Sequence, residues 1–340
     1  MALGLAAAPA SAKCTAKIVG DDFVVSGCNL VVVNGTGSTS TANGKGNIIV
    51  GYDETRGGGD DRRTGSHNVV IGAENNYTGV GGMVAGRHNE VGGAFATVTG
   101  GSENVASGYY AAVSGGRQNV ASGNYASVTG GQFGQAIGGA SSVTGGWDNR
   151  AAAGFTSVSG GLGNAATSTT PADPYAESYA SVSGGVGNVA DEIYSSVSGG
   201  RSNHATGQFS SITGGEENEA GSSGATVVGG TRNQANGIDS VVGGGSDNSA
   251  VADTSVVGGG LENIANVEHA AVFGGAVNTA GGLYATVCGG THNSAAGDGS
   301  AVSGGTGNDA DGDYSSVSGG IGRSTTGEGD WVAGALFQEN

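Results

Sequence analysis

Histidine and cysteine are the side chains best suited to metal binding or nucleophilic chemistry, and both are scarce in this chain. The 340 residues include five histidines, His67, His88, His204, His269 and His292, and three cysteines. No histidine has the short spacing to another histidine or cysteine that a metal site needs. Isolated histidines among many serines also define no Ser-His-Asp set. The sequence therefore predicts no catalytic residues, no metal ligands and no enzymatic activity.

One acidic segment resembles a calcium-binding loop. It reads Asn308-Asp-Ala-Asp-Gly-Asp313, with carboxylates at alternate positions, but the later bidentate glutamate of such loops is missing. The Gly-Gly-x-Gly-x-Asp nonapeptide of calcium-binding solenoids does not recur. We interpret the segment as a solvated turn. The chance Gly-x-Gly-x-x-Gly matches follow no strand into a helix, so we also expect no cofactor.

The cysteines indicate an oxidising compartment. A disulfide between Cys14 and Cys28 would close a loop of about 15 residues and contribute about 3 kcal/mol. Cys288 lies inside the repeat described below and is interpreted as a small buried or half-buried side chain. Residues 1–12 end in Ala-Ser-Ala after an apolar stretch, which is typical of the end of a signal peptide. We expect residues 1–12 to be a signal-peptide remnant and the protein to be secreted or on a bacterial cell surface.

Composition excludes several classes of protein. Glycine accounts for 73 of the 340 residues, only 12% of residues are charged, and the formal net charge is −17. No apolar run approaches the roughly 18 residues of a membrane helix, so no integral membrane segment is expected. Glycine does not recur at every third position, which excludes collagen. The acidic surface would repel phosphate, which argues against nucleic acid as a partner.

A 15-residue repeat explains the glycines. An asparagine that follows each Gly-Gly pair recurs every 15 residues from Asn89 to Asn308, with Gly134 as one exception and Arg323 as the last copy. One interval, from Asn164 to Asn188, is nine residues longer. The spacing predicts fifteen repeats over residues 89–323 with a loop insertion at about 167–178. Disordered sequence does not keep such a register.

Each position of the repeat has its own residue type. Counting the asparagine as position zero, position two is nearly always alanine, position six is often aromatic, and position nine is valine or isoleucine. One β-branched and one small apolar column predict coils stacked as parallel strands about 4.8 Å apart, with two short strands and two turns in each coil. Stacked asparagines can hydrogen-bond along the axis. The predicted structural asparagines and core valines are Asn104, Asn119, Asn149, Asn188, Asn203, Val113, Val128, Val143, Val197 and Val317.

The sequence thus predicts an all-β fold, a parallel β-solenoid of 15-residue coils. Residues 13–88 would form an N-terminal cap with irregular first coils, and residues 324–340 would form a C-terminal cap. A solenoid this thin buries little surface per residue, so side-by-side oligomerisation is expected. The aromatic column could mediate that contact, or its rings could simply lie on the surface of the rod.

The repeat resembles the YadA-like head domains of trimeric autotransporter adhesins. Asn47-Ile-Ile-Val-Gly51 and Asn68-Val-Val-Ile-Gly72 look like the Ser-Val-Ala-Ile-Gly segment of that family, and Asn104-Val-Ala-Ser-Gly108 looks like its Asn-x-Ala-x-Gly segment. The resemblance covers about residues 47–334 and implies a left-handed β-roll, a homotrimer and a role in surface attachment, with an extracellular matrix protein or a glycan as partner. The period of 15 departs from the 14 common in that family.

Two further functions are compatible with a solenoid. An ice-binding protein would use Ser/Thr-Val-Ser/Thr triplets such as Thr97-Val-Thr99, but position ten changes to other residues over five consecutive coils after Thr213. A polysaccharide-cleaving β-helix would need clustered carboxylates on facing coils, and the repeat shows no such cluster. We therefore favour a structural, adhesin-like or spacer protein, with an ice-binding solenoid as the alternative.

Overall fold

The computed structural model describes residues 14–168 and 177–334. In these two ranges the chain is all-β with no helix, and it forms a parallel β-solenoid of about 17 coils. None of the described segments is a helix with the length and apolar character required to cross a bilayer. The prediction of a parallel β-solenoid is confirmed. The signal-peptide remnant predicted at residues 1–12 lies outside the described residues.

Two parallel sheets run along the solenoid, one on each side of its core. We call the first the valine sheet, and its strands are Ile48–Val50, Val69–Ala73, Met83–Arg87, Thr97–Val98, Ala112–Val113, Ser127–Val128, Ser142–Val143, Ser157–Val158, Ser181–Val182, Ser196–Val197, Ser211–Ile212, Thr226–Val227, Val241–Val242, Val256–Val257, Ala271–Val272, Thr286–Val287, Ala301–Val302, Ser316–Val317 and Trp331–Val332. We call the second the alanine sheet, and its strands are Asn76–Tyr77, Glu90–Val91, Val105–Ala106, Val120–Ala121, Gln135–Ala136, Arg150–Ala151, Ala165–Ala166, Val189–Ala190, His204–Ala205, Glu219–Ala220, Gln234–Ala235, Ser249–Ala250, Ile264–Ala265, Thr279–Ala280, Ser294–Ala295, Asp309–Ala310 and Ser324–Thr325.

Each strand pairs with its counterpart one coil before and one coil after. Val113 pairs with Val128 in the valine sheet, and Ala106 pairs with Ala121 in the alanine sheet. A third column of single-residue bridges, such as Ser102 with Arg117, runs beside them. Each coil therefore contributes three parallel ladders, one more than the repeat pattern predicts. The third is only one residue wide, so it leaves no hydrophobic pattern in the sequence.

The core is a narrow stack of small apolar side chains. The valine and alanine columns are fully buried, including Val113, Val128, Val143, Val197 and Val317. Strand alternation sends the residues on either side of each valine outward, which leaves only one valine side chain per coil in this sheet's share of the core. Full burial of a valine contributes about 1.5–3 kcal/mol. The stability of the rod therefore depends on repetition rather than on any large core residue.

The register is irregular at the start and constant afterwards. Ile49 pairs with Val70, 21 residues on, and two steps of 14 residues then lead through Val84 to Val98. Later coils keep the 15-residue step. The loop predicted at 167–178 falls largely on residues outside the description, but Ala165 still pairs with Val189 across it. The extra residues leave the ladder on both sides unchanged.

The two ends differ from each other. The N-terminal segment contains an antiparallel hairpin of strands Thr15–Val19 and Asp22–Ser26, with exposed apolar side chains such as Phe23. At the other end, Ser324–Thr325 and Trp331–Val332 continue the two sheets. Residues 324–334 thus add one more coil, while residues 335–340 of the predicted cap are outside the described range.

Candidate functional site: the outward columns of the solenoid

The asparagine column forms a ladder of buried side chains beside the glycine turns. Oδ1 of Asn104 accepts a hydrogen bond from the backbone N–H of Asn119 at 3.0 Å. Nδ2 of Asn104 donates to the carbonyls of Gly100 and Gly116 at 3.1 and 3.0 Å. The predicted structural asparagines that make the equivalent bonds are Asn104, Asn119, Asn149, Asn188 and Asn203. Because these amides are buried and satisfied, they hold the coils together and do not face a ligand.

Gly134 interrupts this ladder. Its N–H still donates to Oδ1 of Asn119 at 2.8 Å. Gly134 has no side-chain oxygen, however. The backbone N–H of Asn149 therefore lacks the asparagine Oδ1 acceptor that the equivalent N–H has in other coils. The interruption is visible in the sequence as the one asparagine missing between Asn89 and Asn308.

The two glycines of each Gly-Gly pair have different roles. The second one, such as Gly200 with a φ of 92°, has a left-handed backbone, and an added Cβ would collide with the carbonyl of Gly215. The first one, such as Gly199, would place an added Cβ in open space. The first position is nevertheless glycine in every copy from Gly100 to Gly319. A left-handed backbone explains only some copies, such as Gly244 with a φ of 155°. The single chain gives the others no steric reason to be glycine.

These first glycines border the outer face of the valine sheet, which carries no charge. The outer face consists of positions eight, ten and eleven of each coil over residues 97–319, and none of these positions holds Asp, Glu, Lys or Arg. From Thr97 to Thr213 positions eight and ten are almost all serine or threonine, with one alanine. From Val228 to Cys288 the face becomes largely apolar and includes exposed Phe273. The face is therefore uncharged throughout, with a hydroxyl half and an apolar half.

Charged side chains lie on other faces and pair along the axis. Nε of Arg232 donates to Oδ1 of Asp247, one coil later, at 2.7 Å. This hydrogen bond lowers the pKa of Asp247. Burial, together with the neighbouring charge of Asp311, raises the pKa of Asp309. Among residues 14–168 and 177–334, no three His, Cys, Asp or Glu side chains group closely enough to hold a metal ion.

Aromatic residues at position six stack between successive coils. Phe95, Tyr110 and Tyr125 form one stack, with ring centroids 5.1 and 5.6 Å apart. A second stack of four rings extends from Phe155 to Phe209, with centroids 5.1–5.2 Å apart. All these residues have a left-handed backbone, as Tyr125 does with a φ of 60°. That shared conformation points every ring in the same direction, so each of the two stacks forms an aromatic surface.

The cysteines and histidines do not assemble into one site. Cys14 and Cys28 form a disulfide with a Cα–Cα distance of 5.0 Å, which closes the N-terminal hairpin. Cys288 carries a free thiol and is exposed on the outer face of the valine sheet. The interpretation of Cys288 as a buried or half-buried residue is wrong. Cys288 stands at position ten, and its side chain points outward because the preceding residue, Val287, points into the core. His269 stacks on Tyr284 with centroids 4.6 Å apart.

Comparison with known proteins adds no relative. No protein-family model matches the chain, and no curated protein sequence is significantly similar to it. The resemblance to adhesin heads therefore depends on the repeat residues alone.

Sequence reasoning missed two features of these outward columns. It did not separate the two glycines of the pair, since a sequence shows both as glycine, and only the backbone shows which one is crowded. It also identified the aromatic column but did not predict that rings of successive coils stack on one another. The signal was present in the sequence, because the aromatic residues are consecutive copies of one position.

Proposed function

We propose that this chain is a secreted or cell-surface structural protein, a β-roll of the adhesin-head type that self-associates into a homotrimer and serves as an attachment module or spacer. The observation that carries the proposal is the uncharged outer face of the valine sheet with its column of first glycines. Glycine in open space is explained when the backbone of a second chain approaches there. Two coils with a 14-residue step, ending at Val84 and Val98, support the resemblance to that family.

Charge favours a second copy of the same chain as the occupant of this face. With a net charge of −17, two copies repel each other wherever their acidic faces meet. The outer face of the valine sheet is where they can pack without charged side chains. Fifteen coils at about 4.8 Å and a face about 10 Å wide give roughly 700 Å² per copy, divided between two neighbours in a trimer. Three copies together then bury roughly 2,100 Å², against the roughly 1,200–2,000 Å² in total of a stable two-chain interface. The apolar half then places Val228 and Phe273 at the centre of a contact.

Sedimentation of the full chain tests the assembly. We expect three times the chain mass at micromolar concentration. Ser198→Glu places a charge on the outer face and should dissociate the trimer. Thr291→Glu is the matched control, because it adds the same charge at position thirteen, where Glu216 already stands, and should leave the trimer intact. A monomeric wild type, or a Ser198→Glu variant that stays trimeric with unchanged circular dichroism, would contradict this assignment of the interface.

Attachment is tested separately on arrays of glycans and extracellular matrix proteins. We expect the trimer to bind at least one class of these ligands, and the aromatic and charged columns outside the interface offer the contacts. Absence of binding on both arrays, with the trimer intact, would leave the spacer role and remove the adhesive one.

An ice-binding solenoid is the second candidate, and the hydroxyl half of the outer face favours it. Two columns of hydroxyls at about 4.8 Å spacing, interrupted once by Ala112, run through eight successive coils from Thr97 to Thr213. Most are serines, and the pattern ends at Val228. Thermal hysteresis with shaped ice crystals would favour this candidate, whereas round crystals and no hysteresis would exclude it.

A further inference from the structure

The aromatic column has a gap that forms a cavity. Between the stack that ends at Tyr125 and the stack that starts at Phe155, position six is occupied by Ala140. A cavity of about 320 Å³ opens there, and we call it the ring slot. Its lining residues are Asn124, Tyr125, Gly139, Ala140, Phe155 and Glu177. The slot is thus one step of the column from which the ring is missing.

The backbone shows that this step has the same geometry as its neighbours. The φ of Ala140 is 53°, against 60° for Tyr125 and 58° for Phe155. Tyr125 and Phe155 are two coils apart, which places their rings roughly 10 Å from each other. A ring halfway between them would lie about 5 Å from each, within the 4.5–7 Å range of stacked aromatic pairs. The filled steps of the column have centroid distances of 5.1–5.6 Å.

Both walls of the slot present a flat ring face. One face of Tyr125 is covered by Tyr110 at an interplanar angle of 12°, so its other face is turned toward the slot. Phe155 is covered on its far side by Tyr179 at 19°. The floor is the methyl group of Ala140 and the backbone of Gly139. These surfaces fit a flat ring, whereas the thicker chair of a sugar would require the walls to separate.

The polar rim selects the charge of the ligand. Among the described residues that line the slot, Glu177 is the one carboxylate, and its Oε2 accepts a hydrogen bond from the hydroxyl of Tyr179 at 3.1 Å. Cations are also attracted to aromatic faces, and the net charge of −17 raises their concentration near the surface. An anionic ligand would meet repulsion from each of these sources.

We propose that the ring slot binds a small flat aromatic molecule that carries a positive charge. Its ring stacks between Tyr125 and Phe155 and its cationic group faces Glu177. This site goes beyond the structural role proposed above and does not depend on it, because all the described residues that line the slot belong to one chain.

Calorimetric titration of the full chain with three probes tests the ligand class. Benzamidine is flat and cationic, benzoate is flat and anionic, and cyclohexanecarboxamidine is cationic with a puckered ring. We expect benzamidine to bind with a millimolar or lower dissociation constant and the other two to bind about tenfold more weakly or not at all. Equal binding of cyclohexanecarboxamidine would refute the flat ring, and equal binding of benzoate would refute the role of Glu177.

Variants test the location. Ala140→Tyr fills the slot with the chain's own ring at a φ that tyrosine already adopts in this column, so the variant should fold and lose benzamidine binding. Asp239→Tyr adds the same side chain at the same turn position, where φ is 54°, but far from the slot, and should bind as the wild type does. Glu177→Gln should weaken benzamidine binding by roughly two- to fivefold. Benzamidine binding that survives Ala140→Tyr, or no binding of benzamidine to the wild type at ten millimolar, overturns the proposal.

Discussion

Replacing one asparagine of the ladder tests whether the buried amides stabilise the rod. Asn203 is fully buried. Its Nδ2 donates to the carbonyls of Gly199 and Gly215 at 2.9 and 3.0 Å, and its Oδ1 accepts from the backbone N–H of Asn218 at 3.1 Å. Two further bonds join the side-chain amides, from Nδ2 of Asn203 to Oδ1 of Asn188 at 3.1 Å and from Nδ2 of Asn218 to Oδ1 of Asn203 at 3.0 Å, and the Asn188 and Asn218 atoms both have other partners. Asn203→Ala removes all five bonds and introduces no new polar group. We expect the free energy of unfolding to fall.

The magnitude follows from which groups lose every partner. The carbonyl of Gly215 still accepts from the N–H of Arg201 at 2.9 Å. The backbone N–H of Asn218 loses its acceptor in a buried environment, which costs about 1–3 kcal/mol. Each of the bonds to the carbonyls of Gly199 and Gly215 contributes about 0.5–1.5 kcal/mol. We therefore expect the free energy of unfolding to fall by about 3 kcal/mol, since the hydrogen bond that the Gly215 carbonyl keeps with Arg201 reduces the total.

The natural gap at Gly134 provides the reverse experiment. Gly134→Asn supplies an acceptor to the amide of Asn149. The new Cβ would lie 3.0 Å from Oδ1 of Asn119 and 3.3 Å from Cγ1 of Val143, so these neighbours must move by a few tenths of an ångström. We expect a net gain of about 1 kcal/mol.

Urea unfolding and amide hydrogen exchange measure both variants. In Asn203→Ala the amide of Asn218 should exchange faster while amides several coils away keep their protection, because each coil contacts only its neighbours. In Gly134→Asn the amide of Asn149 should become better protected. An Asn203→Ala variant with unchanged stability and an unchanged Asn218 exchange rate would refute the reasoning.

Three further predictions concern other features of the fold. Gly200→Ala should prevent correct stacking of its coil, while Gly199→Ala should leave unfolding of the single chain unchanged when both are compared in the dissociated Ser198→Glu background. Similar melting temperatures for the two variants in that background would contradict the difference between the glycine columns. Reduction of the Cys14–Cys28 disulfide should lower the free energy of unfolding by up to about 3 kcal/mol. Amide protection should fall only in the hairpin, and a loss of protection spread over the repeats would contradict this prediction. Because burial raises the pKa of Asp309 in the folded chain, its ionisation opposes folding above that pKa. Asp309→Asn should therefore be more stable than the wild type at pH 7 and equal to it at pH 3. A difference in stability between the two proteins that grows as the pH falls would contradict the raised pKa of Asp309.

The strands and core could be predicted from the sequence because the same environment recurs in every coil. Val113 and Ala106 each stand in a column of near-identical residues, and only stacked parallel strands give a whole column one environment. The hydrogen bonds of the asparagines were harder to predict. Sequence indicates that their side chains stack, but Oδ1 accepts mainly from backbone N–H groups and Nδ2 reaches glycine carbonyls, as at Asn104. Those partners depend on the turn geometry, which glycine alone does not specify.

The outward columns could be predicted only in part. The sequence singles out the aromatic column and the serine and threonine columns, but not the open space in front of Gly199 or the cavity above Ala140. The open space exists because Gly199 has no side chain, and the cavity exists because Ala140 has no aromatic ring. Their meaning depends on distances to neighbouring coils, which no pattern of residue types contains.

The direction of the backbone hydrogen bonds has a mechanical consequence. They run from each coil to the next, as from the N–H of Val105 to the carbonyl of Asn119 at 2.8 Å, and so they lie parallel to the long axis. A force that pulls the two ends apart loads these bonds one coil at a time. Each coil that detaches releases 15 residues, or about 50 Å of extended chain, while the remaining coils keep their contacts. Under tension the rod would lengthen in discrete steps and dissipate the load.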